Sequence, residues 1–354
     1  RVTNNGQAQL NNLIPMLTAM GDTSGISYIS GPLPVSASVA GNGGEAYFTW
    51  RYNITGSGSV SFYGEATGVD ANSGLTVVLE PKVSGSVAMQ SVATLSAGLI
   101  MPPVVSLNQV YTVRMYVSNT GMAGAVNVAP SSLNLAGSVG SAIRISGPSP
   151  AAQSIPGMSA VEFTWTYSAV GTGNVDFKGT ASGQDENSGS TVTSPQAQRV
   201  INVQKAAALF ASITAMPDPA KTGENITVIM TVNNDTAAAN AVNVSITPQT
   251  LEVVVDSDAR TVNLVSSPLP VSRVVTSGTP QFFTWIYALG NGAGHIAFSA
   301  RAIGTDVNAG WGVSSASVST NNIEVNPSAA LSSATIANPG TVSVGQMITV
   351  EVSV

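Results

Sequence analysis

The chain has 354 residues, of which only 8% are charged, with twelve Lys and Arg against eighteen Asp and Glu, a net charge of −6 and a single His. The absence of Cys excludes disulfides and thiolate metal sites, and one His, His295, excludes any His-cluster centre. Basic residues scattered singly give no footprint for nucleic acid, and no apolar run reaches the ~18–20 residues needed to cross a bilayer.

Gly, Ser, Thr, Asn, Ala and Val dominate the composition. Branched side chains suit a pleated surface, and Gly, Asn and Ser supply turns, so strands are expected and helices are not. Mean hydropathy is +0.26, and so little charge leaves an isolated rod poorly solvated, which suggests that neighbouring copies or glycans cover part of its surface.

In chain order, the opening VTNNGQAQLNNLIP (2–15) matches VSNTGMAGAVNVAP (117–130) and VNNDTAAANAVNVSITP (232–248). The two later copies follow a strand pattern, YTVRMYV (111–117) and ITVIMTV (226–232), and the same phase returns in SVGQMITVEVSV (343–354). The window thus runs from mid-strand to mid-strand. That phase predicts either a longer polypeptide or part-repeats that complete one another between neighbouring molecules.

The most informative stretch is written three times: FTWRYNITGSGSVSFYGEATGVDANSG (48–74), FTWTYSAVGTGNVDFKGTASGQDENSG (163–189) and FTWIYALGNGAGHIAFSARAIGTDVNAG (283–310). Trp50, Trp165 and Trp285 lie 115 and then 120 residues apart, the size of one small β domain. The expected organisation is the C-terminal part of a repeat at 1–87, complete repeats at 88–203 and 204–327, and the N-terminal part of a further repeat at 328–354. In the middle repeat, strands are expected at 90–97, 109–118, 124–129, 140–145, 160–168, 173–181 and 190–203. Seven short strands separated by turn signals define an all-β fold of tandem Ig-like antiparallel β-sandwich domains. With only a Pro between IEVNPSAALSSATI halves, the array should be stiff.

Side chains on a strand alternate faces, so Phe48, Trp50 and Tyr52 share one side and Thr49 and Arg51 the other. The aromatic set is expected in the core. The next strand continues the logic with Val60, Phe62 and Ala66, with Val175, Phe177 and Ala181, and with Ile296, Phe298 and Ala302.

These residues carry a family resemblance. A TVxVxV strand, a VxN(N/T)GxAxxNV turn and strand, and then FTWxYxxxGxGxVxF with AxGxDxNSG resemble bacterial cell-surface Ig-like repeats of the CARDB type, the cell-adhesion-related domain. The resemblance spans the chain three times. It implies an extracellular repeat protein with structural or adhesive duties, and it transfers no catalytic or binding site.

The GxDxN(S/A)G loop is the candidate for chemistry. Asp70 and Asn72, Asp185 and Asn187, and Asp306 and Asn308 place oxygen side chains at alternate positions, as in the first half of a calcium loop. Position twelve, where such loops carry a bidentate Glu, is Pro81, Gln196 or Ser317. The preferred reading is an Asx turn, in which the side chains bond the local backbone while the chain reverses. Sequons mark Asn53, Asn225, Asn234 and Asn243 as candidate glycan acceptors.

No enzymatic arrangement emerges. A triad would require His295, whose counterparts are Ser59 and Asn174, and Glu45 and Glu162 become Gln281 in the third copy. The expected role is structural: rigid repeats forming or decorating a filament, sheath or stalk at the cell surface, without a cofactor, and self-associating through edge strands that lack Lys and Pro guards. The alternative is a passive spacer of an adhesin whose binding head lies outside this segment.

Overall fold

The computed structural model describes residues 1–136, 138–256 and 261–354. These residues form tandem Ig-like β-sandwiches built from antiparallel sheets, with one short 3-10 turn, Thr23–Gly25, as the helical element among them.

In the middle repeat one sheet sets Leu95–Ile100, Val110–Asn119, Ser159–Gly171 and Ser141–Ser149 side by side, all antiparallel. The facing layer runs from Val104–Ser106 through Ala197–Gln204 to Gly173–Gly179, and continues with Ala181–Asp185, Ala125–Pro130 and Gln153–Ile155. Val104–Ser106 joins Ala197–Gln204 in parallel, which places the beginning and end of the repeat next to each other in one sheet. The third repeat repeats the plan, with Leu209–Met216, Asn225–Asn234, Gln281–Leu289 and Val262–Leu269 in one sheet and Gly294–Asp306 central to the other.

The aromatic strand occupies the same place in both. Phe163, Trp165 and Tyr167 alternate inward from Ser159–Gly171 and are buried, as are Phe283, Trp285 and Tyr287 from Gln281–Leu289. They meet Val175, Phe177 and Ala181, or Ile296, Phe298 and Ala302, from the facing layer, with Tyr167 edge-on to Phe177 at 5.0 Å. Each buried aromatic contributes a few kcal/mol at about 25 cal/mol per Å² of apolar area removed from water. In the 1–87 segment Phe48, Trp50 and Tyr52 are only half-buried, because Thr49–Ile54 pairs on one side alone, with Ile26–Leu33.

Several strands depart from the expected bounds for physical reasons. The first strand of the middle repeat begins at Leu95, because residues 91–94 form the entry joint, with Ala93 N–H bound to Asp185. The segment expected as one strand at 190–203 is split into Thr191–Thr193 and Ala197–Gln204 around Pro195, whose ring cannot donate to a ladder. In Leu10–Gly21, Ala125–Pro130 and Ala241–Val255, Asn12, Asn127 and Asn243 hold φ of 48°, 53° and 52° at a β-bulge, which accounts for the Asn that recurs at this place in each copy.

The expectation of unguarded edges is corrected for one edge, whereas the opposite edge strands Leu95–Ile100 and Leu209–Met216 hold neither Lys nor Pro. The edge strands Ile26–Leu33 and Val262–Leu269 carry two register shifts each and Ser141–Ser149 carries three, and each strand ends in a Pro pair, Pro32 and Pro34, Pro148 and Pro150, or Pro268 and Pro270, whose second member follows the last strand residue. Bulges and missing N–H groups block continuation of the ladder. The bulge residues Ile29, Ile145 and Val265 instead point an exposed apolar side chain outward at equivalent positions.

Candidate functional site at the repeat joint

The Asp–Asn loops sit where one repeat passes into the next. In the middle repeat, Asp185 Oδ1 accepts from the N–H groups of Asn187 (3.1 Å) and Ser188 (2.8 Å) and from Ser188 Oγ (2.9 Å). These contacts close an Asx turn, and Gly189 follows at φ 70°, a conformation that favours glycine. The second oxygen, Oδ2, accepts from Ala93 N at 2.8 Å and so ties the loop to the entry of its own first strand. Asn187 donates its amide to Gln90 Oε1 at 2.8 Å, reaching the segment that enters from the preceding repeat. The N–H of Ala93, then those of the loop, hold the Asp185 carboxyl below its ordinary value.

Asp70 makes the same turn, accepting from Asn72 N, Ser73 N and Ser73 Oγ through Oδ1 at 2.8–3.0 Å. Its carboxyl is likewise held low, with the Ser73 N–H the largest cause. Asp70 and Asn72 border an open cleft lined by Leu10, Leu13 and Ala66.

The third copy differs. Asp306 Oδ1 accepts from Asn308 N (2.9 Å) and Ala309 N (2.7 Å), and Oδ2 accepts from Ala207 N (2.8 Å), as the pattern requires. Ala309 has no hydroxyl to offer where Ser73 and Ser188 have one. Ser106 of the preceding repeat supplies it, with Oγ 2.9 Å from Oδ1 and 3.0 Å from Oδ2. Both residues are 0% exposed. Around them, Gln109 donates to the Asn308 carbonyl at 3.1 Å while its Oε1 accepts from Ser106 N at 2.8 Å, and Asn308 donates to Gln204 Oε1 at 3.0 Å.

The chemistry of these loops follows from the donors. N–H and O–H groups converge on each carboxylate, on both oxygens at Asp185 and Asp306, whereas a hard cation requires six to eight oxygens converging on one point. Among the described residues no group of three or more His, Cys, Asp or Glu gathers in metal-binding proximity.

The sequon residues separate by environment. Asn53, Asn225 and Asn243 are exposed. Asn234 is corrected as an accessible acceptor: it is 3% exposed, its Oδ1 accepts from Ala208 N at 2.9 Å, and its Nδ2 donates to Ala239 O at 2.8 Å. Asn119 occupies the equivalent place in the middle repeat, accepting from Thr94 N and donating to Ala123 O. The pair thus ties the first strand to the turn after the second. His295 is exposed, with Nδ1 2.8 Å from Asp256 Oδ2. No helix of the described residues is long and apolar enough to cross a membrane.

Sequence reasoning found the Asp and Asn of the joint but missed Ser106, Gln109 and Gln204. The in-phase glutamines Gln90 and Gln204, at the first two repeat boundaries, were the available signal.

No family model and no curated protein matches the chain. Several solved structures align with the chain at low similarity. FdeC, an adhesin of Escherichia coli, aligns at 10% identity and TM-score 0.30 over 91% of this chain and 88% of that one. A putative membrane anchored protein from Corynebacterium diphtheriae aligns at 13% identity and TM-score 0.20 over 89% of this chain and 85% of that one. The fibronectin(III)-like modules of Clostridium thermocellum CbhA align at 12% identity and TM-score 0.23 over 65% and 94%. Likeness at this level carries no residue across. The chain's own topology defines its class, a tandem array of Ig-like β-sandwiches.

Proposed function

We propose that the chain is a structural segment of an extracellular, cell-surface protein, in which Ig-like repeats act as rigid struts that form or decorate a filament, sheath or stalk. The observation that carries this reading is the joint: the last strand of the middle repeat ends at Gln204, and Ala207 already hydrogen-bonds within the next repeat. Two intervening residues leave no flexible linker, so length and direction pass from one sandwich to the next. The in-phase motifs that resemble CARDB-type repeats support the same assignment. Cohesion between neighbouring copies along the guarded edges would use exposed apolar positions such as Ile29, Ile145 and Val265, because the Pro pairs and bulges there disfavour continued strand pairing. No catalytic step and no resident cofactor belong to this reading.

The test is electron microscopy of the native material combined with sedimentation of the purified chain. Ordered polymers or concentration-dependent association are expected. A monodisperse extended monomer at all concentrations, absent from any ordered native assembly, would refute the filament assignment and leave a passive spacer.

A further inference from the structure

The Asp–Asn loops keep a constant requirement and meet it from different sources. Asp70 and Asp185 each accept one serine hydroxyl from three residues further along the same loop, Ser73 and Ser188. At Asp306 the loop position is Ala309, and the hydroxyl comes from Ser106, 200 residues away in the preceding repeat. A buried carboxylate short of a donor is costly, so Asp306 is best satisfied only when the two repeats are in the relative orientation that brings Ser106 to it. Gln109 and Gln204 reinforce the same orientation from the second repeat, one bonding the Asn308 carbonyl and the other its amide.

We propose that the exchange of Ser for Ala at position 309, coupled with Ser106, is an orientation latch that fixes the angle between the middle and third repeats. The stability of the third repeat's loop is thereby made dependent on its neighbour's placement, whereas Asp185 receives its hydroxyl locally from Ser188. The latch concerns geometry within the chain and does not rest on filament formation.

The absence of native Cys permits a direct test. Tyr116→Cys and Phe282→Cys, at exposed positions in the two repeats, carry nitroxide labels for inter-repeat distance measurement in the full chain. With the latch intact the distance distribution is expected to be narrow. Ser106→Ala is expected to broaden it and to lower the unfolding midpoint of the third repeat by about 2–4 °C. The double variant Ser106→Ala with Ala309→Ser restores a local hydroxyl, so the midpoint should recover while the distribution stays broad. A narrow distribution in Ser106→Ala, or recovery of the narrow distribution by Ala309→Ser, would overturn the proposal. Should Ser106→Ala fail to fold, Gln109→Ala removes a cross-repeat bond without touching the carboxylate. Broadening there supports the latch, and an unchanged narrow distribution counts against it.

Discussion

Trp285 donates its indole N–H to the carbonyl of Gln249 at 2.8 Å, a bond that reaches from the aromatic strand to the strand facing it. Trp165, at the equivalent position, buries the same N–H without a partner among the described residues. Both indoles are fully buried. The expected outcome is that Trp285→Phe destabilises its repeat more than Trp165→Phe does, by about 1 kcal/mol, because only the former breaks a bond and strands a carbonyl. Chemical denaturation followed by the remaining tryptophans checks the order.

Asn119 should be indispensable to the middle repeat. Its side chain joins Thr94 N, Gly121 N and Ala123 O, all reached from a site 1% exposed. Asn119→Ala leaves these groups unpaired and is expected to cost about 2–4 kcal/mol, measured as a drop in denaturant midpoint at constant slope. Asn119→Asp keeps the acceptor, loses the donor and should fall between the two.

The same burial governs glycan attachment. When the chain is produced in a host that modifies sequons, peptide mapping of the folded protein should find Asn234 unmodified. Occupancy, where it occurs, should be confined to the exposed Asn53, Asn225 and Asn243.

Acid should weaken the middle repeat through Asp185. Its carboxyl is held below the ordinary value of 3.8, with the Ala93 N–H as the largest cause. A group depressed in the folded state contributes stability that is fully present above 3.8 and lost as pH falls through the lowered folded value. Below about pH 4 the wild-type chain should therefore lose stability more steeply than Asp185→Asn, which is less stable at neutral pH but has no proton to take up at that site. Thermal melts across pH 2–7, at roughly unit steps, compare the two slopes.

Calcium should leave the joint unchanged. Because hydrogen-bond donors already surround Asp185 and Asp306, addition of calcium after chelator treatment is expected to shift neither the melting temperature nor the titration heat. A saturable heat abolished by Asp306→Asn would contradict this.

Much of the architecture can be read locally. The FTWxY triplet declares its buried face by period 2, and its separation from the following VxF strand by Gly-containing turns places the two on facing layers. What escapes such reading depends on partners distant in sequence. Asn234 satisfies a sequon pattern, yet its burial follows from Ala208 and Ala239 closing over it. Ser106 sits in a run, VVSLNQ, that looks like an ordinary strand end, because its carboxylate partner lies in another repeat. Pro195 was visible as a letter, but whether it split a strand or bent it depended on the neighbouring ladder. The Pro pairs at the edges were equally visible, and assigning their strand to the edge required the full sheet order.

The parallel pairing of Val104–Ser106 with Ala197–Gln204 has a mechanical consequence. Once load has passed from Leu95–Ile100 to Val104–Ser106, tension leaving through Ala197–Gln204 pulls these two strands past each other along their length, so their bonds are loaded in shear together and not peeled in sequence. Ala220–Lys221 and Ile323–Asn326 reproduce the arrangement in the third repeat. The middle and third sandwiches therefore each place a strand pair loaded in shear beside the joint that leads into the following repeat.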